Sequence, residues 1–267
     1  MAKKLGSDGR LFLIPTPLAP YSPRAWEPQR LRDMIAPHIL ERLRHISLYV
    51  VESEKSAIRF LSRLLPQESF DRIRMVLLDE HSTARDLEAP LAALKEGTDC
   101  AILSEAGMPC IADPGAALVT AAHRENIRVV PLGTDSSLLL ALAASGLNGQ
   151  QFSFLGYLPV QDDTLRRKLA SEGITALRDG AARIFIETPY RNARVLEACK
   201  ESLPEKLHLC CAAGLGTEEP TVISMPVSMW RSNDSATPQE PAVFCFGLPA
   251  MLEEKNARLQ PPRSRRT

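Results

Sequence analysis

The sequence predicts an α/β protein of two domains, the first built on a mostly parallel sheet with helices on both faces and the second on a mixed sheet. Three observations predict it. Strand-like and helix-like segments alternate through about the first 130 residues, the pattern pauses at Gly146-Leu-Asn-Gly149, and the stretch beyond about residue 205 runs strand after strand. Alternation argues for parallel strands joined by crossover helices, and consecutive strands argue for antiparallel neighbours.

Residues 11–14 form a short buried strand stopped by Pro15 and Pro17. One helix is expected over 29–44, because Leu31, Ile35, Ile39 and Leu43 recur at helical spacing. A strand over 47–51, a helix over 54–65, a strand over 74–78 and a helix over 89–96 closed by Gly97 follow. Strands over 100–103 and 127–132 flank a helix over 114–125, and the apolar run LLLALAAS makes a further helix. Beyond the pause come a strand over 152–156, a helix over 164–178, a strand over 184–186 and a helix over 192–203. Strands over 208–213, 222–227 and 242–247 complete the pattern. The expected division is a first domain over 1–149, a second over 150–250 and a disordered tail over 251–267. No internal repeat is visible.

Composition narrows the function. No apolar run approaches the roughly 18 residues that cross a bilayer. The amino-terminal lysines are not followed by an apolar stretch, so no signal peptide is read and the expected compartment is the cytoplasm. Six cysteines form no C-x-x-C pair and are expected as free thiols, with no metal site. Thirty-two basic and 32 acidic side chains leave a formal net charge of zero. A protein that grips long nucleic acid usually carries a basic excess, so any such contact is expected from a local patch or the basic tail. The signatures of P-loop enzymes, nicotinamide dehydrogenases and serine hydrolases are missing.

The chemistry-bearing residues collect at strand ends, where open α/β sheets bind ligands. After residue 103 comes SEAGMPCIADPG, a loop of about nine residues where about two to six are usual. Gly107 there allows close backbone approach, and Asp113 with Pro114 reads as a helix cap followed by a first-turn proline. After residue 131 comes LGTDSS, in which Asp135 or Ser136 can cap the apolar helix, which by itself would explain both. The third site is IETPYR: Thr188 and Pro189 repeat the cap-and-proline arrangement, leaving Glu187 at a strand end with Tyr190 and Arg191 in the first turn. Glu187 with Arg191 reads either as a surface ion pair or as a pair that orients a substrate hydroxyl or phosphate.

IPTPLAP, SEAGMPCIADPG, GLNGQQFSFLGYLP and FIETPYRN, in that order and spacing, resemble the tetrapyrrole (corrin/porphyrin) methylase superfamily from about Leu11 to Gly247. The resemblance is greatest to its branch of small-subunit ribosomal RNA cytidine 2′-O-methyltransferases. It implies a homodimer, with S-adenosyl-L-methionine held between the two domains of each subunit. By motif, the cofactor contacts would include Pro15, Thr16 and Leu18, then Glu105, Ala106, Gly107, Pro109 and Asp113 in the long loop. Ser136 and Ser137 would follow at a helix start, with Leu158, Ala212, Pro241 and Ala242 from the second domain. Glu187, Thr188 and Arg191 would lie near the acceptor, and Glu52 and His81 would face the same cleft.

Three departures from the family pattern stand out: Ala19 and Glu105 replace a glycine and an aspartate, and Thr134-Asp135 replaces Gly-Pro. A carboxylate at Asp135 would occupy the positive end of the following helix, and weaker cofactor binding is expected from it. For transfer to a ribose hydroxyl, Glu187 is the first candidate base and Glu52 the second, with Arg191 holding a phosphate or developing charge. Two rivals remain: a small tetrapyrrole-like acceptor, which zero net charge favours, and a non-catalytic binding descendant, which Thr134-Asp135 favours. A basic stripe along the cleft would favour RNA, and failure to bind the donor would favour the last.

Overall fold

In a computed structural model the chain is described over residues 9–18, 27–113, 115–133, 136–217, 219–230 and 238–250. Ala19, Pro114, Thr134, Asp135 and the expected tail 251–267 lie outside these residues.

The first sheet has the order β3-β2-β4-β1-β5, formed by Arg10–Ile14 (β1), Leu48–Val51 (β2), Arg74–Leu77 (β3), Cys100–Leu103 (β4) and Arg128–Pro131 (β5). Every pairing in it is parallel. Helices Pro28–Met34 (α1), Pro37–His45 (α2) and Glu54–Leu64 (α3) bury their apolar faces on one side, against Phe12, Ile14, Tyr49, Val51, Ala101 and Leu103. The short helix Gln67–Phe70 (α4) continues that side through Phe70. Glu88–Lys95 (α5) and Ala116–Arg124 (α6) cover the other side, against Leu11, Leu48, Val50, Cys100 and Ile102. Alternate residues of each strand therefore serve opposite cores, as the two-residue strand period requires. The two faces follow from right-handed crossovers, since connections leading toward β3 and those leading away from it must lie on opposite sides.

The second sheet has the order β6-β7-β10-β8-β9, from Phe152–Tyr157 (β6), Ala182–Glu187 (β7), His208–Ala213 (β8), Thr221–Pro226 (β9) and Ala242–Gly247 (β10). Only β6 with β7 is parallel; β10 runs antiparallel to both its neighbours, and β8 runs antiparallel to β9. Asp162–Asp179 (α8), Asn192–Ser202 (α9) and Val227–Trp230 (α10) pack on one face around Phe185, Phe244 and Trp230. Ser137–Ser145 (α7) lies on the other face, with Ala141 and Leu142 against Ile184, Ala212 and Cys245. By packing, α7 goes with the second sheet, although it precedes the expected division at Gly149.

Four local expectations are corrected. The helix expected over 29–44 is two helices, because Pro37 drives Ala36 into an extended conformation (φ −57°, ψ 138°). Its stripe holds nonetheless: Leu31, Ile35, Ile39 and Leu43 are all buried. Asp113 is not a cap, since Gly115 occupies the cap position of α6. Ser136 stands at the cap of α7 but makes no capping hydrogen bond through its side chain. Thr188 is not the cap of α9 either; Arg191 is, which leaves Tyr190 in the preceding turn.

Candidate active site

Neighbouring strands β1 and β4 send their chains in opposite directions, β1 toward β2 and β4 toward β5. A crevice must open between such diverging loops, at the carboxyl ends of the strands. The two loops meet across it. Thr16 and Gly107 exchange both backbone hydrogen bonds at 3.0 Å, and Ser104 Oγ donates to the Gly107 carbonyl at 2.9 Å. Gly107 sits at φ +77°, and a Cβ there would come within 2.8 Å of Leu18 Cδ2. Only glycine accepts both conditions without strain.

Leu18 also touches the second lobe. Gly216, in the turn after β8, has φ +84°, and a Cβ on it would fall 2.9 Å from Leu18 Cβ. The carboxyl-end loops of β1 and β8 therefore face one another, and the seam between the lobes runs through this contact. Gly216 stands in the run Gly214-Leu215-Gly216, and nothing local in the sequence shows which loop it will meet.

Three carboxylates crowd the first-lobe side. Glu52 follows β2 directly, while Glu105 and Asp113 lie on the long loop after β4; Glu52 and Asp113 line one small cavity with Val50, Val51, Leu78, Ile102, Leu103 and Gly115. Burial raises the Glu52 carboxyl above its ordinary value, and the charges of Glu105, Asp79 and Glu80 add to that. Asp113 is pushed up to about 7 by burial and then by Glu52 and Glu105, and its Oδ2 is buried without a hydrogen-bond partner. Glu105 is steadied by Ser56 Oγ, which donates to it at 2.6 Å. Such a group disfavours an anionic ligand and favours a cation. The loop is also bent tightly, with Cys110 and Ala112 both at positive φ (69° and 64°), a conformation that non-glycine residues hold only where surroundings impose it.

On the second lobe, Glu187 ends β7 opposite Ala242, the first residue of β10. Its side chain is fully buried: Oε1 accepts the Thr188 amide at 2.8 Å, and Oε2 lies 3.3 Å from Arg191 Nη1. Arg191 Nη2 donates to the carbonyls of Leu158 and Pro159, at 3.3 and 2.8 Å. This pair therefore turns inward, toward its own domain. His81 is not drawn into the crevice; its ring is largely exposed and lies 3.6 Å from Glu80. Of the residues expected at the site, the structure brings together Thr16, Leu18 and Gly107, then Glu52, Glu105 and Asp113, and separately Leu158, Glu187, Thr188, Arg191 and Ala242. Ser56, Ser104, Asn192 and Gly216 join them without having been singled out from sequence.

The parallel α/β lobe joined to a mixed one is a fold shared with methyltransferases, and in this chain three carboxylates gather at the carboxyl ends of β2 and β4. The family model Tetrapyrrole (Corrin/Porphyrin) Methylases matches residues 36–229. The chain belongs to that family, and its methyl donor is S-adenosylmethionine. It is 32% identical to the ribosomal RNA small subunit methyltransferase I of Escherichia coli, across 83% of this chain and 70% of that one. It is 28% identical to the protein of the same name in Pseudomonas aeruginosa, across 86% and 75%. Among solved structures, the methyltransferase CobJ shares the fold, with a TM-score of 0.55 and 18% identity over 90% of this chain and 94% of that one.

The residues present fit the donor. It carries a sulfonium and an ammonium group, and the crevice offers three carboxylates, one with an unpartnered buried oxygen. No helix among the described residues is long and apolar enough to cross a membrane.

Proposed function

We propose that this protein methylates a ribose 2′-hydroxyl of small-subunit ribosomal RNA, with the donor lying in the seam between its lobes. The observation that carries the reading is the convergence of Glu52, Glu105 and Asp113 at the carboxyl ends of β2 and β4, next to the loop contact between Thr16 and Gly107. The relatives named for ribosomal RNA methylation supply the acceptor class.

The donor would be held from the first lobe by Pro15, Thr16, Leu18 and the 105–113 loop, and at the start of α7 by Ser136 and Ser137. Leu158, Ala212, Pro241 and Ala242 would close the site from the second lobe. When bound, the donor supplies an electrophilic methyl group on a positively charged sulfur that leaves as a neutral thioether. Glu52 is the better candidate base, because burial and then the charges of Glu105, Asp79 and Glu80 raise its affinity for a proton. As the oxygen–methyl bond forms and the sulfur–methyl bond breaks, the hydroxyl proton passes to that carboxylate. Glu187, buried and engaged with Thr188 and Arg191, holds the site's frame instead. The active particle is a homodimer, and its compartment is the cytoplasm, where the acceptor lies.

The test is incubation of the protein with methyl-labelled S-adenosylmethionine and RNA from a strain lacking the gene. Label in small-subunit ribosomal RNA, recovered after nuclease digestion as a ribose-methylated nucleoside, is expected. Label that enters only a tetrapyrrole extract would overturn the RNA reading in favour of a small acceptor, to which the zero net charge is better suited. Glu52→Gln should lower kcat by about 10²–10⁴-fold.

A further inference from the structure

Asn192 opens α9 and is fully buried, an unusual place for an amide side chain. Its Nδ2 spends both hydrogens on backbone carbonyls two residues apart, Pro238 at 3.0 Å and Glu240 at 2.7 Å. Those carbonyls lie on the segment that leads through Pro241 into β10. The adjacent Arg191 reaches the other way, to the carbonyls of Leu158 and Pro159 where the chain leaves β6. Glu187 holds Arg191 from behind at 3.3 Å. One turn thus grips the two segments that carry Leu158, Pro241 and Ala242, the residues that the proposed function assigns to the second-lobe side of the donor.

We propose that Asn192 is a positioning residue for the methyl donor: through Pro238 and Glu240 it fixes the 238–242 segment against the seam, with the Glu187–Arg191 pair fixing Leu158 beside it. A merely packed helix start would be served as well by leucine. Instead the position carries two donors aimed at one segment, and its own Oδ1 is left buried without a partner. An unpaired buried carbonyl is costly, so the amide is kept for what its nitrogen does. The inference rests on the donor lying between the lobes, as proposed above.

The experiment is calorimetric titration of the intact protein with S-adenosylmethionine, comparing the parent with Asn192→Leu and Asn192→Asp. Damage to the fold alone lowers the number of competent sites and leaves their dissociation constant unchanged. A lost positioning contact raises the constant while the site number holds. About a tenfold rise is expected for Asn192→Leu, which loses two hydrogen bonds, and for Asn192→Asp while its carboxyl is charged. The aspartate variant adds a second readout. Buried among carbonyls, its carboxyl favours the protonated form, whose hydroxyl can donate once, so its affinity should recover on acidification relative to the parent. Unchanged dissociation constants in both variants, or a drop in site number alone, overturn the inference. Absence of donor binding by the parent overturns the placement of the donor itself, and the inference with it.

Discussion

Asp113 has an ordinary carboxyl value of 3.8 and is raised to about 7 by burial and by the charges of Glu52 and Glu105. A raised acid favours the fold while protonated. That contribution is complete below about pH 4 and is lost as the pH climbs through about 7. Asp113→Asn stays neutral throughout, so its melting temperature should gain on the parent between about pH 4 and 7 and hold that gain above. Melting curves at intervals across this range check it, and a gap independent of pH counts against the assignment. A cationic donor would draw the same carboxyl back toward its charged form. Titration near pH 6.5 should then release protons, visible as a dependence of binding heat on the buffer's ionisation enthalpy. The sequence showed Asp113 as a helix cap, because aspartate before proline and glycine fits that role locally. Its true surroundings come from Glu52, just past the end of a strand far away in the chain.

At the scale of elements, the strands and their end loops were legible. Strand β4 falls at Cys100–Leu103 as expected, and the apolar stripe of α1 and α2 survives the break at Pro37. Caps were less legible, since several residues near each start carry suitable side chains and small differences in loop path decide among them. The loop contacts at Leu18 make a prediction of their own. Gly107→Ala should destabilise by about 1–2 kcal/mol from its left-handed backbone alone, with the clash against Leu18 Cδ2 added. In the double variant with Leu18→Ala the clash is removed and the backbone strain is not. Denaturant unfolding should therefore show the pair to be less destabilised than the two single changes summed. Simple additivity would mean that Leu18 does not lie where the structure puts it.

For the whole molecule, zero formal charge limits how RNA can be held. Binding that rests on few phosphate contacts should weaken gently with salt. A slope of log K against log salt shallower than about −4 is expected, and one near −8 would show a concentrated basic patch gripping many phosphates. The edge strand β6 leaves Phe152 and Phe154 exposed, on the sheet face that α7 covers only in part. Open apolar edges invite pairing with another chain. Sedimentation should return a particle of about twice 29.4 kDa, and Phe154→Lys should shift it toward the monomer.

The sequence by itself determined the two α/β sheets, nearly every strand, and where the strand-end loops fall. Side-chain period and turn residues act over a few positions and are written locally. Only the tertiary structure decided that Glu52, Glu105 and Asp113 converge, that Glu187 and Arg191 turn inward, and that Asn192 joins them. Those outcomes depend on β2 lying beside β4 and β7 beside β10, and strand order is set by which apolar faces bury together across the whole chain.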